Sequence, residues 1–202
     1  MRCLHTWIAQ GPTRIIVVLD VEDVEAESRI LALGDGRVEA VMFRHQGKRS
    51  ALGVGLRMVD TELVILIDSD TVWENGMYAA IQMPFVDPAV GAVSTRQNVY
   101  LPKSSIWRRV ADWIIDLRYF DYAPAMGRFG GVICASGRTS AFRYSAVRDR
   151  IGELENEYFL GRKCIAGDDG RLTWLVLSQA SGSRTRTVPG RCRCSRRPSG
   201  PS

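Results

Sequence analysis

Residues 62–70 read Glu-Leu-Val-Ile-Leu-Ile-Asp-Ser-Asp, a short apolar run that ends in two carboxylates. A run of this length and composition predicts a buried strand. In an open α/β sheet, ligands bind beyond the carboxyl ends of the strands, so Asp68 and Asp70 are expected at a binding crevice. Side chains alternate along an extended chain, which places both carboxylates on one side of it. Such a pair suits Mg²⁺ or Mn²⁺ held together with a substrate's phosphates, whereas a lone Asp-x-Asp is more often a polar turn.

Three further apolar runs predict strands, and the segments between the runs carry helical periodicity. The strand candidates are 14–20, 38–43 and 92–98, and the helix candidates are 51–59, 77–83 and 104–122. Strands that alternate with helices predict an α/β fold with a mixed, mainly parallel sheet. The longest helix candidate has a stripe of Trp, Ile, Leu and Phe side chains. Core packing is the favoured interpretation of this stripe, and a membrane-facing surface is the alternative.

The basic charge of the chain is concentrated near its carboxyl-terminal end. The net charge is +5, and it falls to about −1 when the six arginines of residues 180–202 are left out. A domain with no net positive field does not favour nucleic acid, so no nucleic-acid partner is expected. Residues 180–202 are rich in Ser, Arg, Gly and Pro and contain no Asp, Glu, Leu or Ile. They predict a disordered tail after one folded domain, 1–179, and a translated frameshift or a basic arm for phosphates or anionic lipid are two hypotheses for it.

The cysteines are five in number, scattered, and without the spacing of a metal site. A reducing compartment is the simplest interpretation. The sequence also lacks an apolar stretch with the length of a signal peptide core or a membrane span. As written, it predicts a soluble or peripheral chain.

Four polar clusters lie at the ends of predicted elements. They are Asp20 with Glu22 and Asp23, the loop 45–49 (His-Gln-Gly-Lys-Arg), Asp68-Ser69-Asp70, and Gly167-Asp168-Asp169. Cationic side chains and free backbone N–H groups at a helix start favour a phosphate. Adjacent carboxylates repel one another and can supply a general base, although an N-cap is the simpler interpretation of Asp168 alone. Together the clusters indicate transfer of a group from a metal-bound nucleoside diphosphate.

The order of these motifs resembles a known family. Gly47-Lys48-Arg49, Asp68-Ser69-Asp70-Thr71, Ser136-Gly137 and Gly167-Asp168-Asp169 follow one another as in the processive glycosyltransferases of family 2. The likeness is to hyaluronan synthases and chitin-oligosaccharide synthases, and it covers roughly residues 10–180. It implies a GT-A-like (Rossmann-like) fold and an inverting hexosyltransferase that extends a polysaccharide from a UDP-sugar donor. The alternatives are a non-processive family 2 transferase that acts on a lipid or small acceptor, and an inactive fragment or binding module.

The resemblance also implies roles for individual residues. Asp20 would approach the uridine, with Asp23 as a rival because the Val-Leu-Asp-Val-Glu-Asp register departs from the usual paired Asp. Asp169 would be the general base that deprotonates the acceptor hydroxyl, with Asp168 beside it. The remaining assignments are Lys48 and Arg49 near the nucleotide, Asp68 at the donor, Asp70 and Asp68 at Mg²⁺ or Mn²⁺, and Cys134, Ser136 and Gly137 at the acceptor side.

Three departures from the family pattern stand out. Gly170 follows the Asp pair where those synthases place Arg, and Arg171 comes next. The Gln-x-x-Arg-Trp motif, expected beyond residue 180, is absent. A first nucleotide-binding strand before Met1 and flanking transmembrane helices are also missing. These departures predict an incomplete catalytic core, whose full-length parent would associate with the membrane at its cytoplasmic face.

Overall fold

The computed structural model describes residues 1–44, 47–127, 134–136, 138–164, 166–179 and the backbone of 184–194. Helices alternate with strands along these residues. The α-helices are α1 Arg2–Ile8, α2 Val24–Leu31, α3 Lys48–Arg57, α4 Met77–Gln82, α5 Ile106–Leu117, α6 Ala123–Gly127, α7 Ile151–Glu155 and α8 Asp168–Leu177. The strands are β1 Ile15–Asp20, β2 Val38–Phe43, β3 Leu63–Ile67, β4 Thr71–Trp73, β5 Val90–Val99, β6 Thr139–Arg143, β7 Tyr158–Phe159, β8 Arg162–Lys163 and β9 Arg184–Cys194. A π-helical turn, Arg118–Tyr122, joins α5 to α6, and short 3-10 helices include Met83–Val86.

The described strands form one five-stranded sheet and two two-stranded sheets, β1–β2 and the short hairpin β7–β8. β1 pairs with β2 in parallel, and a five-stranded sheet has the order β3-β6-β5-β9-β4. β6 runs antiparallel to both of its neighbours, so β3 and β5 point the same way without touching. The predicted α/β fold with mixed sheets is confirmed. The expectation of mainly parallel pairing is not met: among the described strands only β1–β2 and β5–β9 pair in parallel, and the other four pairings are antiparallel.

Strand β9 lies in the segment that composition predicts to be disordered. Its backbone pairs in parallel with β5 along most of that strand, and antiparallel with the short β4. The difference has a physical basis, because an open strand edge offers backbone hydrogen bonds that do not require buried apolar side chains. Order over 184–194 therefore comes from the neighbouring strands rather than from the composition of the segment.

Two hydrophobic clusters cover opposite faces of β3. Leu63, Ile65 and Ile67 pack against a cluster built with α1, α4 and β4, whereas Val64 and Leu66 pack against one built with α3, α7 and α8. Alternate side chains of a strand point to opposite faces, so the two sets belong to the two sides of the sheet. Strand β3, at one edge of the five-stranded sheet, is therefore packed on both of its faces.

A cavity of about 390 Å³ separates β1 from β3. It is lined by consecutive residues of both strands, 15–18 and 63–67. Side chains of α3 line it from one face of β3, and Trp7 and Trp73 line it from the other. Neither facing strand pairs across the gap, so every residue of β1 and β3 is only half-buried. Lys48 and Ser69 lie at the cavity wall next to the carboxyl end of β3.

Helix α5 forms where periodicity predicts it, but it packs by the opposite face. No residue of α5 is buried, and Ile106, Trp107 and Trp113 are 72%, 79% and 69% exposed. Its acidic side chains Asp112 and Asp116 instead contact β5. The expectation that the apolar stripe packs into the core is therefore wrong. The polar face of α5 packs against β5 because donors at the end of that strand bond to Asp112 and Asp116.

Over the described residues, the structure contains no helix with both the length and the apolar character needed to cross a bilayer.

Candidate active site

The Asp68-Ser69-Asp70 segment forms the turn between β3 and β4. The amide of Asp68 donates to the carbonyl of Arg138, 3.1 Å away, and the amide of Thr71 donates to the carbonyl of Asp68 at 3.0 Å. These bonds tie the turn to the start of β6 and close it tightly. Asp68 and Asp70 thus lie where the sequence predicts them, just beyond the carboxyl end of a strand, β3.

Lys48 connects this turn to the second predicted pair of carboxylates. Its Nζ lies 2.9 Å from Asp68 Oδ1 and 3.1 Å from Asp168 Oδ2. Partial burial lowers the pKa of Lys48, but the two carboxylates outweigh that effect and the net pKa is raised. The Lys48 ammonium therefore links the carboxyl end of β3 to the start of α8, two points that are distant in sequence.

Arg49, the next residue, points away from this contact and is only 5% exposed. Its guanidinium lies 2.6 Å from Glu157 Oε2 and also donates to the carbonyls of Ala166 and Gly167, at 2.6 and 3.3 Å. Both terminal nitrogens of Arg49 are bonded to protein acceptors, and the expectation that Arg49 lies near the nucleotide stays a prediction. Arg49 anchors the loop that leads into α8.

The start of α8 presents the Asp168-Asp169 pair. Gly167 precedes it with φ +76°, a left-handed conformation that side chains with a Cβ rarely adopt. Asp169 Oδ1 accepts a hydrogen bond from the amide of Gly170 at 2.8 Å. Both carboxylates occupy the first turn of the helix, where the positive end of the helix dipole stabilises anions.

Cys134 lies beside Asp169. The neighbouring amide of Ala135 donates to Thr173 Oγ1 at 2.8 Å, and Thr173 Oγ1 donates to the carbonyl of Asp169 at 2.7 Å. Burial, followed by the charge and hydrogen bond of Asp169, raises the pKa of the Cys134 thiol to about 11, and Arg118 opposes the shift. The thiol is therefore protonated at neutral pH and can donate to the Asp169 carboxylate.

Ser136 is buried, and its amide donates to Ser94 Oγ at 3.3 Å. The third residue predicted at the acceptor side, Gly137, lies outside the described residues.

Asp20 and Asp23, the two carboxylates considered for the uridine side, both accept backbone hydrogen bonds near the start of α2. Asp20 Oδ1 accepts from the amide of Glu22 at 3.0 Å at the carboxyl end of β1. Asp23 is the N-cap of α2 and accepts from the amide of Ala26 at 3.1 Å. Asp20 is half-buried and lies nearer the sheet, whereas Asp23 is exposed. The structure connects neither of them to Lys48 or Asp68 through the contacts of the described residues.

Two arginines near the site were not identified from the sequence as site residues. Arg118 donates to the carbonyl of Cys134 at 3.4 Å, and no local sequence pattern marks this contact. Arg171, one position later than the family's usual Arg, pairs with Glu157 at 3.3 Å and with Glu153 at 3.5 Å. Glu157 thus receives both Arg49 and Arg171.

Among the described residues, no group of three or more His, Cys, Asp or Glu side chains is arranged to hold a metal ion. The candidate ligands are the two carboxylates of the β3–β4 turn, Asp68 and Asp70. Carboxylate oxygens fit Mg²⁺ and Mn²⁺, which commonly take only one or two protein carboxylates when phosphate oxygens complete the coordination.

Comparison with known proteins gives consistent matches. The sequence model of a family described as "Glycosyltransferase like family 2" matches residues 1–198. An N-acetylglucosaminyltransferase of Azorhizobium caulinodans is 30% identical over 197 residues, which cover 94% of this chain and 49% of the relative. A type 2 glycosyltransferase of Pyricularia oryzae is 28% identical over 86% of this chain and 38% of its own length. The chain spans about half the length, or less, of these relatives.

Solved structures match at lower identity. A mannosyltransferase from Pyrobaculum calidifontis, solved with GDP-Man and Mn²⁺, is 20% identical with a TM-score of 0.68, over 98% of this chain and 53% of that one. GalNAc-T7, solved with UDP, GalNAc and Mn²⁺, is 14% identical with a TM-score of 0.65, over 99% of this chain and 41% of that one.

Proposed function

The chain belongs to glycosyltransferase-like family 2, and from this we propose that it forms the catalytic core of an inverting enzyme that moves a sugar from a UDP-sugar to a growing polysaccharide. The fold supports this proposal, since it is the GT-A-like α/β fold of its structural neighbours. The names of the curated relatives support an N-acetylglucosaminyl donor.

One observation carries the proposal: Lys48 Nζ bridges Asp68 and Asp168. One side chain, that of Lys48, thus contacts both the turn after β3, on the donor side, and the carboxylate pair at the start of α8. A transferase needs this proximity, because the diphosphate leaves from the same anomeric carbon that the acceptor hydroxyl attacks. The Lys48 ammonium can exchange its carboxylate partners for a diphosphate oxygen when the donor binds.

Asp68 and Asp70 would hold the divalent cation together with the diphosphate. Bound there, Mg²⁺ or Mn²⁺ would neutralise the charge of the UDP leaving group. The neighbours that were solved with Mn²⁺ and a nucleotide or nucleotide-sugar support a divalent cation in this role.

Asp169 would accept the proton of the acceptor hydroxyl as that oxygen attacks the anomeric carbon. Its Oδ1 is oriented by the Gly170 amide, and its carboxylate also accepts a hydrogen bond from the Cys134 thiol. Cys134 and Ser136 would border the acceptor, with Gly137 as the third predicted position. Arg49 would act on the site through the loop before α8 rather than by contact with the nucleotide.

A second candidate is a non-processive transferase that glycosylates a lipid or small acceptor. The relatives named N-acetylglucosaminyltransferase are compatible with it. Product length separates the two candidates, since single additions would support the second and long chains the first.

The test is a calorimetric titration of UDP with and without Mn²⁺. We expect saturable binding that needs the metal and is lost in Asp70→Asn. Asp169→Asn should retain UDP binding while transfer to an acceptor falls by about 100-fold or more, the usual contribution of a general base. Asp149→Asn, which changes an exposed carboxylate outside the site, is the matched control. Metal-independent binding, or full transfer by Asp169→Asn, would contradict these assignments.

A further inference from the structure

The sheet edge that presents Asp68 and Asp70 also carries a cation that the proposed chemistry does not use. Arg138 immediately precedes β6, and its carbonyl accepts the amide of Asp68 at 3.1 Å. Thr139, the next residue, pairs with Ile67, the last residue of β3. Because β6 runs antiparallel to β3, the start of β6 lies beside the carboxyl end of β3. Arg138 is therefore a direct neighbour of the β3–β4 turn.

The side chain of Arg138 is half-buried, yet it pairs with no acid among the described residues. Within that part of the chain its guanidinium makes one hydrogen bond, from Nη1 to Gln97 Oε1 at 3.4 Å. Arg96 of the adjacent strand β5 is also half-buried and, in contrast, has Asp116 as an acid partner at 3.1 Å. A guanidinium has five N–H donors and no acceptor. Most of the hydrogen-bonding capacity of Arg138 is therefore open to a ligand.

Gln97 adds a second donor that has no acceptor. Its side chain lies on β5, the other neighbour of β6, and the residue is only 3% exposed. Its Oε1 faces Arg138, whereas its Nε2 has no hydrogen-bond partner. The two atoms are bonded to the same carbon, so the unpaired N–H groups lie close to the guanidinium. Both groups donate, and the charge of Arg138 favours an anion as the acceptor.

The order of the strands determines where Arg138 lies relative to the rest of the candidate site. Asp20, at the end of β1, pairs with Phe43 at the end of β2. Lys48 follows β2 in the chain and contacts Asp68 after β3, so β1 and β3 end on the same side. β1 faces β3 across the cavity, and β6 pairs with the opposite edge of β3. The end of β1, the turn after β3 and Arg138 therefore follow one another in this order.

We propose that Arg138, oriented by Gln97, binds the distal phosphate of the nucleotide-sugar donor, the phosphate that carries the sugar. The inference rests on the proposed function, in which the uridine lies toward β1 and the metal lies after β3. A donor placed in this way reaches β6 with the part beyond the metal, and the distal phosphate is its anionic group there. The planar guanidinium matches two phosphate oxygens at once. Arg138 thus determines specificity for a diphosphate over a monophosphate, and Gln97 is a positioning residue.

The experiment is a calorimetric titration of the full chain with UDP and with UMP, each in the presence of Mn²⁺. Arg138→Gln should weaken UDP binding by about tenfold or more, because charge-assisted hydrogen bonds are lost, and UMP binding by less than about threefold. Arg138→Lys should retain only part of the UDP affinity, since an ammonium lacks the planar fork. Arg148→Gln, which removes the same charge from an exposed arginine, is the matched control and should bind both ligands as the parent chain does.

Gln97 is tested through its dependence on Arg138. Gln97→Leu should weaken UDP binding in the parent chain but have no further effect in the Arg138→Gln chain, because a positioning residue acts only through the group that it orients. A loss of equal size in both backgrounds would overturn the positioning role. Circular dichroism and thermal unfolding check that each variant is folded, and Arg138→Lys supplies the comparison if Arg138→Gln is not.

The outcomes separate this inference from the proposed function. Metal-dependent UDP binding that the Arg138 variants leave unchanged would overturn the contact with the distal phosphate and leave the proposed function standing. An equal loss of UDP and UMP affinity would do the same, because the lost contact would then involve a group that both ligands share. A folded parent chain that binds UDP neither with nor without Mn²⁺ would overturn both.

Discussion

Arg49 contributes to the candidate site through the loop that it holds. Its guanidinium contacts both Glu157, the residue before β7, and the carbonyls of Ala166 and Gly167, the two residues before α8. The buried ion pair and the two carbonyl contacts set the position at which Asp168 and Asp169 begin the helix. Arg49 is a positioning residue in this arrangement.

Replacing Arg49→Met should therefore lower the free energy of unfolding by about 2 kcal/mol, because the carbonyls of Ala166 and Gly167 lose their donor and Glu157 keeps only Arg171 as a partner. Urea denaturation followed by circular dichroism measures the change. Arg57→Met is the matched control. Arg57 lies on α3, as Arg49 does, and pairs with Glu155 of α7, but its side chain is half exposed. Its loss should therefore lower the free energy of unfolding by less than about 1 kcal/mol. Unchanged stability of Arg49→Met combined with lost UDP binding would instead favour direct contact with the nucleotide.

The adjacent residues Lys48 and Arg49 also mark how far sequence can predict this site. The Gly-Lys-Arg loop predicts that cations face a ligand at the start of α3, and the structure shows Lys48 against the carboxylates of Asp68 and Asp168. Consecutive residues of a helix point about 100° apart, so the two side chains cannot share one direction. Arg49 turns toward Glu157, a residue distant in the chain, and no local pattern could have revealed that choice.

At the scale of single elements, α5 separates the prediction of a helix from the prediction of its packing. Periodicity correctly indicates both the helix and its apolar stripe, since both depend on local spacing. The face that meets the sheet depends on the end of β5, where the Val99 amide, Arg96 and Asn98 need acceptors. The same limit applies to β9, because composition is silent about a neighbouring strand edge that can pair with it.

The inverted packing of α5 makes an unusual prediction for mutational stability. Asp116→Ala should lower the free energy of unfolding by about 1.5 kcal/mol, because Arg96 and Asn98 lose a charged acceptor. Ile114→Ser should change it by less than about 0.5 kcal/mol, since Ile114 is 60% exposed. Thermal and urea unfolding of both variants provide the measurement. The reverse order of effects would mean that α5 packs by its apolar face after all.

At the scale of the whole molecule, a cavity separates β1 from β3. The sequence predicts both strands and predicts that β3 is buried, yet both are half-buried because the edges that face one another do not pair. Sequence patterns give the strands but not their spacing, which depends on how the helices on both faces hold them apart. The cavity reaches the candidate site at Lys48 and Ser69.

A cavity of about 390 Å³ leaves room for a larger side chain on its α3 wall. Ala51 lines that wall, and Ala51→Leu should raise the free energy of unfolding by about 1 kcal/mol, because apolar surface is added without displacing a neighbour. Ala79→Leu, at an exposed position of α4, is the control and should have little effect. Urea unfolding compares the two with the parent chain. A destabilised Ala51→Leu would mean that β1 and β3 approach one another more closely in solution, because overpacking penalises only a filled space.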